Sequence, residues 1–424
     1  DHFVANDEIR WTCRSLQFRQ ALRERDWAGT FRTGHPGVVT TWLGALFIPR
    51  HQEAAVVACE TAEGGMELDK IDGSSQGEMH PLAMLGGLLF KGRVGVALFT
   101  WICLVATAWL VRSLWGMELA LGSLILIALD PFLLALSRVL HIDAVLTNLM
   151  TLSLLSLLAA QRPWGSGRCH WGMIVLSGAL GGMAVLQKSP ALFLTPFSAV
   201  VIGLRAFGRR AGSKAIRRAL RDIILWILAA GIITILLWPA MWVEPIHTLE
   251  GVMNTALGYA EEGHEPGSYF LGTAVDEPGW AFYPVVLLFR LSPLVLVGVV
   301  IYALLMRGGQ PTLPRSDALA LLLYAVLFGT FMSLGAKKLD RYLLPVFPAL
   351  ATVAGAGFLD LTGKVRAWAR RASIPVGHLI LWSVMLLQLL VVVPHFPYYL
   401  TYYNPLVGGL HRAQHALKVG WGEG

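Results

Sequence analysis

The sequence predicts an all-α, polytopic integral membrane protein. Three observations carry this: composition, the length of the apolar runs, and where the charges fall. Of 424 residues, 55% are hydrophobic and 14% charged, and mean hydropathy is +0.59. A soluble domain is about one quarter charged. The apolar runs approach the about 20 residues needed to cross a bilayer, and only helices satisfy their backbone over such lengths. The period-two alternation of barrel strands is missing from them. A soluble enzyme, a disordered chain and a nucleic-acid-binding domain are excluded. The net charge of +7 and pI near 9.3 come from basic residues between apolar runs, the pattern of membrane topology rather than of a phosphate-tracking face. Cys13, Cys59, Cys103 and Cys169 are scattered and imply neither a disulfide scaffold nor a zinc site.

Residues 1–91 read as a first extramembrane loop. Counting spans from a cytoplasmic start asks for one further helix ahead of Asp1. Within this loop, Asp7-Glu8 opens a polar stretch, and His35-Pro36-Gly37 precedes the apolar run Val38–Pro49. That run is too short to span, and its Trp42 and flanking Arg50-His51 suit an interfacial helix. Glu53–Gly77 is polar and reads as an insertion. Residues 92–405 form a transmembrane domain of about ten spans: Val94–Val111, Met117–Leu136, Ile142–Ala160, Trp171–Leu186, Ala191–Gly203, Ile223–Trp242, Pro284–Met306, Ala318–Leu334, Leu343–Leu359 and Ile374–Pro394. An outer loop covers 241–282, and 406–424 is a truncated C-terminal outer segment.

The densest basic connection, Arg205–Arg221, belongs in the cytoplasm by the positive-inside rule. Arg112, Arg162/Arg168, Arg307/Arg315 and Lys364–Arg371 then fall on the same side. The first loop, 138–143, 187–190, 241–282, 335–341 and everything after Pro394 fall on the outer side.

A few ionisable residues stand outside this logic. Lys337, Lys338 and Arg341 crowd an outer loop that the charge rule would leave poor in cations. They either snorkel to lipid phosphates or hold an anion, with Arg offering bidentate geometry and Lys a point charge. Lys188 sits between two short spans on that face, as an anchor or as a further cation of the site. Asp143 lies at a span edge, where a charge is expensive unless paired or functional. Arg138 and His141 are one helical turn apart, and Arg138 could pair with Asp143. His264, in the 241–282 loop, carries a weak signal.

Taken in order along the chain, these elements resemble the GT-C glycosyltransferases that use polyprenyl-phosphate sugars, in the group of the protein O-mannosyltransferases and the lipid A aminoarabinose transferases. Asp7-Glu8 matches the acidic pair of the first outer loop, and His35-Pro36-Gly37 a His-Pro-Pro-type motif, with Gly37 replacing the second proline. Arg138 to Asp143 looks like the motif of the second outer loop. Lys188 and Lys337–Tyr342 look like the lysine and Arg-Tyr elements ahead of later helices. Tyr398–Pro405 resembles a stretch common in bacterial members. The family's soluble C-terminal domain is absent or cut off here.

The resemblance implies a GT-C-type helical bundle. It implies transfer of a hexosyl or pentosyl group from a lipid-phosphate donor to an acceptor hydroxyl by inverting single displacement. Such chemistry needs a carboxylate to take the acceptor proton and cations to stabilise the departing phosphate. The expected catalytic residues are Asp7, with Glu8 as second choice, and Asp143 as an orienting group. The expected substrate-binding residues are His35, Arg138, His141, Lys188, His264, Lys337, Lys338, Arg341 and Tyr342. His35, His141, Asp7, Asp143 and His264 are also nitrogen and oxygen donors on one face, so a divalent metal stays open, though no ligand spacing compels one. The expected partners are membrane lipid, a polyprenyl-phosphate sugar donor and a protein, lipid or glycan acceptor, without nucleic acid. The expected location is a bacterial plasma membrane with the site outside. A transporter or lipid flippase is the alternative. It would favour internal repeats and ionisable groups near the midplane, whereas the ionisable groups here collect at the outer ends of the spans.

Overall fold

The computed structural model describes residues 5–49, 81–162, 167–207, 212–263, 268–307, 311–369 and 379–419. The expected insertion at 53–77 and His264 lie outside the described residues. Nine of the ten apolar runs are found in helices or bent helix pairs, and the tenth is helical from Leu379, where its described part begins. Among the described residues, six helices are long and apolar enough to cross a membrane, nine if each bent pair counts as one span, and His170–Val185 is a shorter apolar helix.

The chain begins with α1 (Asn6–Glu24), and Asp7 and Glu8 occupy its first turn. The acidic pair is therefore helical rather than on a loop, and it sits where a helix dipole favours negative charge. Helix α2 (Val38–Phe47) follows a left-handed Gly37 at φ 55°. A Cβ at Gly37 would strike the Trp11 ring, so this departure from a second proline suits a tight turn against α1. Val38, Val39, Thr40, Thr41 and Gly44 of α2 are buried. Exposure is concentrated at its end, in Leu46 and Phe47.

The spans are α3 (Pro81–Trp115), the bent pair α4 (Met117–Ala128) and α5 (Pro131–Ser137), α6 (Ile142–Ala160), α7 (Gly167–Val185), α8 (Leu194–Phe207) and α9 (Ser213–Leu237). After α10 (Ala240–Val243) and α11 (Pro245–Glu261) come the bent pair α12 (Phe282–Arg290) and α13 (Pro293–Leu305), then α14 (Arg315–Ser333), α15 (Phe347–Ala369), α16 (Leu379–Val392) and the short α17 (Gly409–Ala413).

Two runs that hydropathy reads as single spans are broken. The first bends by 67° between α4 and α5. Asp130 caps α5 by accepting from the Leu133 amide at 2.9 Å, with Pro131 in the first turn, a strong helix start. The second bends by 108° between α12 and α13. The break removes Arg290 from the middle of a span. Its buried guanidinium reaches Asp340 at 2.7 Å, the Leu400 and Tyr402 carbonyls at 2.9 and 2.8 Å, and the Tyr403 hydroxyl at 2.8 Å. Arg290 thus straps the C-terminal segment to the bundle.

A two-stranded hairpin, β1 (Ser268–Phe270) and β2 (Thr273–Val275), departs from the all-helical expectation. Leu271 and Gly272 at its tip have φ of 49° and 87°, as a two-residue type I′ turn requires. Cys13 is disulfide-bonded, a bond that the scattered cysteines of the sequence did not imply, while Cys103 is a free buried thiol.

Polar clusters mark both ends of the bundle. At the basic end, Asp317 accepts from Trp115 at 2.8 Å, Arg162 at 2.6 Å and Arg205 at 2.5 Å, clasping the ends of four helices. In between, α13 and α15 approach through small residues. A Cβ on Gly298 would come within 2.6 Å of the Ala354 Cβ, and one on Gly357 would overlap the Gly298 carbonyl. Small residues permit such backbone approach in membranes. Gly357→Val should therefore lower the thermal midpoint in detergent markedly, while Gly363→Val, where a Cβ meets nothing within 4 Å, should leave it nearly unchanged.

Candidate functional site

The ends of α1 and α6, the α7–α8 junction and the segment before α15 meet at one end of the bundle. Asp143, 1% exposed, lies in the first turn of α6. Lys188 donates to its Oδ1 at 2.8 Å, and Arg341 Nε lies 3.2 Å from its Oδ2. Arg341 Nη2 reaches on to Asp7 Oδ2 at 3.2 Å. His141 caps α6, with Nδ1 3.3 Å from Asp143 and Nε2 3.7 Å from Asp7. Burial pushes the His141 imidazole below its usual range, against the pull of Asp143 and Asp7. Asp7 retains 30% exposure, so it is the carboxylate of the cluster that solvent reaches.

Beside this cluster lies a cavity of about 240 Å³ lined by both polar and apolar side chains. The polar ones include His35, Lys188, Tyr259, Lys337 and Tyr342, and the apolar ones Leu192, Ala256, Phe331, Met332 and Leu334. Each lysine rests on a tyrosine ring: Lys188 Nζ lies 3.8 Å from the Tyr342 centroid and Lys337 Nζ 3.9 Å from that of Tyr259. The Tyr259 ring also packs against His35, with centroids 4.4 Å apart. Backbone bonds hold the lysine segment to the end of α11: the Ala336 amide donates to Ala260 at 2.9 Å and the Lys337 amide to Tyr259 at 3.3 Å.

Burial lowers the basicity of both lysines; Asp143 opposes this at Lys188, and Asp7 and Glu262 oppose it at Lys337. Burial, with the nearby charges of Lys188, Arg14 and Lys337, pushes His35 down to about 3 against the pull of Asp143. The imidazole is therefore neutral at ordinary pH, and its Nδ1 is buried without a hydrogen-bond partner.

The site thus gathers Asp7, His141, Asp143, Lys188 and Arg341 in one ionic cluster, and His35, Lys337 and Tyr342 with Lys188 on the cavity wall. Three candidates are directed elsewhere. Glu8, fully buried, accepts from Arg93 through both oxygens at 2.7 Å and from the Leu140 amide at 3.0 Å. Lys338 turns away, its ammonium on the Gly335 carbonyl at 2.5 Å. Arg138 does not make the expected pair with Asp143. It donates to the Pro397 carbonyl at 2.9 Å and faces the Tyr399 ring at 5.4 Å. Helix α5 ends at Ser137, so residues 138–141 also lack the helical spacing expected of Arg138 and His141. Tyr259, Arg93 and Arg290 were not singled out from the sequence. Among the described residues, no group of three or more His, Cys, Asp or Glu side chains converges on a point suited to a metal ion.

Two outcomes follow from this electrostatic arrangement. Below its ordinary pKa of 6.5, His35 of the unfolded chain binds a proton that the folded protein refuses until about pH 3. Stability should therefore fall as pH drops through that window, by up to about 1.4 kcal/mol per pH unit. His35→Gln should remove this slope in thermal denaturation run from about pH 7 to about pH 4. Separately, Arg93→Met strands the buried Glu8 charge and should cost about 3–5 kcal/mol of stability, and adding Glu8→Gln should recover much of it.

A family model described as dolichyl-phosphate-mannose-protein mannosyltransferase matches residues 80–249. The matched region contains Asp143 and Lys188; Asp7, His35, Lys337 and Arg341 lie outside it. ArnT from Cupriavidus metallidurans bound to undecaprenyl phosphate is 17% identical with a TM-score of 0.58, covering 92% of this chain and 67% of that one. The apo state of the same protein gives 19% identity and a TM-score of 0.54, covering 84% and 56%. The Archaeoglobus fulgidus oligosaccharyltransferase in apo form is 12% identical with a TM-score of 0.52, over 99% of this chain and 53% of that one. By sequence, no curated protein matches. The chain has the GT-C fold that the resemblance implied, and it spans between about half and two thirds of the length of these structural relatives.

Proposed function

We propose that this protein is a membrane glycosyltransferase that moves a sugar from a polyprenyl-phosphate donor to an acceptor hydroxyl on the outer face of the membrane. The observation that carries the reading is the cavity, whose wall combines Lys188 and Lys337 with apolar side chains. Such a lining suits an amphiphile with an anionic head. The mannosyltransferase family model and the undecaprenyl phosphate bound to ArnT support a lipid-linked donor. The disulfide at Cys13 supports an oxidising, outer compartment for the α1 side, and so does the collection of basic loops at the opposite end.

In this reading Lys188, Lys337 and Arg341 receive the phosphate as the glycosidic bond breaks and its charge grows. The Tyr342 ring supports Lys188. Asp143 holds Lys188 and Arg341 in place. Asp7 takes the acceptor proton as the hydroxyl oxygen attacks the anomeric carbon, which inverts that carbon in one displacement. Glu8, closed off by Arg93, fixes the first turn of α1 and so aims Asp7. His35, neutral and on the cavity wall, offers a ring hydrogen bond to the sugar.

Purified protein in liposomes, supplied with a polyprenyl-phosphate sugar, should form a transfer product. Asp7→Asn should lower kcat by about 100-fold or more, while Lys337→Gln should chiefly raise KM for the donor. Full activity in Asp7→Asn removes Asp7 as base. Sugar-independent lipid movement across the bilayer, without any transfer product, would establish the flippase reading instead.

A further inference from the structure

The two lysines on the cavity wall are held in different ways. Lys188 rests on the Tyr342 ring and also donates to Asp143 at 2.8 Å, so a carboxylate already balances its charge. Lys337 has no ion pair and no side-chain hydrogen bond among the described residues. Its ammonium lies 3.9 Å from the centroid of the Tyr259 ring. A ring face attracts a cation through its quadrupole and carries no charge of its own. An ammonium held there keeps its full positive charge for an incoming anion.

Granted the lipid-phosphate donor proposed above, we infer that Tyr259 is a positioning residue of the phosphate site. Its ring holds Lys337 on the cavity wall, uncompensated, where the anionic head of the donor arrives.

The main chain places Lys337 against the same residue. The last turn of a helix leaves carbonyls without partners inside the helix. At the end of α11, the Gly258 carbonyl accepts from the Glu262 amide at 2.7 Å, that of Tyr259 from the Lys337 amide at 3.3 Å, and that of Ala260 from the Ala336 amide at 2.9 Å. Residues 336 and 337 thus complete the C-terminus of α11, the end of a helix that favours a cation. Tyr259 meets Lys337 twice, through its carbonyl and through its ring. Any residue type supplies the carbonyl, whereas the ring face needs an aromatic side chain. The Tyr259 hydroxyl has no hydrogen-bond partner among the described residues, so the face of the ring is the part that acts. His35 packs on this ring with centroids 4.4 Å apart and steadies it. Being neutral at ordinary pH, the imidazole does not compete with Lys337 as a cation.

The test measures binding of a polyprenyl phosphate carrying no sugar to the purified full chain in detergent. The reference is Tyr259→Phe, which keeps the ring and loses the hydroxyl. Phenylalanine with one, two and then three ring fluorines at position 259 nearly preserves shape while draining the ring quadrupole. The dissociation constant should rise stepwise along this series, to about 5–10-fold above the reference. A ring that merely fills space predicts no such trend. In a Lys337→Gln background the same series should produce no further change, which isolates the coupling between the two side chains. A flat series with Lys337 intact overturns the inference. A trend that persists in Lys337→Gln also overturns it, because the ring would then act on some other group. Failure of the donor reading looks different: the wild-type protein does not bind the polyprenyl phosphate at all, and this inference falls with it.

Discussion

The candidate site depends on the pairing of Asp143. A carboxylate that water barely reaches is tolerated only when cations lie against it, because the interior screens charge poorly. Lys188 and Arg341 meet that requirement from two distant parts of the chain. Once they are fixed, the rest follows locally. Arg341 carries Asp7 with it, so the start of α1 is tied to the segment before α15. Tyr342, next in sequence, comes to lie under Lys188. The neighbouring buried pair, Glu8 with Arg93, adds a second tie between α1 and α3. A charge network of this kind contributes little net stability compared with apolar packing. Its effect is to leave few alternative arrangements for the four segments that meet there.

Much of this was legible in the sequence because a membrane penalises charge so heavily. Ile142–Ala160 is read to the residue from its apolar run, whose one charge, Asp143, lies in the first turn, and ionisable residues at span ends pointed to the cluster around Asp143. The misplacements have local causes. Hydropathy averages over a window, so it joined α12 to α13 across Arg290 although Ser292-Pro293 marks a helix start. Met117–Leu136 was joined across Asp130-Pro131 in the same way. Lys337 and Lys338 look equivalent in a list of cations, but residues 337–339 are outside any helix. In extended chain, neighbouring side chains point to opposite faces, so one lysine meets the cavity and the other turns away. Tyr259 carried no signal because its role arises from α11 docking beside the lysine segment, a contact between distant parts of the chain.

The fold also separates two kinds of polar grouping by depth. At the basic end, Asp317 gathers Arg162, Arg205 and Trp115, joining helix ends. At the other end, similar residue types stand beside a cavity and leave Asp7 partly open. The same chemistry thus serves as a clasp at one end and, beside a cavity, as a candidate reaction centre at the other.

Helix α6 raises a question of assembly order. Its whole apolar window, Ile142–Ala160, is buried inside the finished bundle, so in the mature protein it touches no lipid. During synthesis, however, it must enter the bilayer before later helices such as α14 and α15 exist to surround it. Its hydropathy is suited to that passing stage, and so is its handling of hydroxyl groups. Thr147 and Thr151 donate to the carbonyls of Asp143 and Thr147 on their own helix, which hides them while the helix still faces lipid. Ser153 instead exchanges hydrogen bonds with Ser177 of the next helix to arrive. The middle of the molecule is thus written for two solvents in succession, first the bilayer and then the protein.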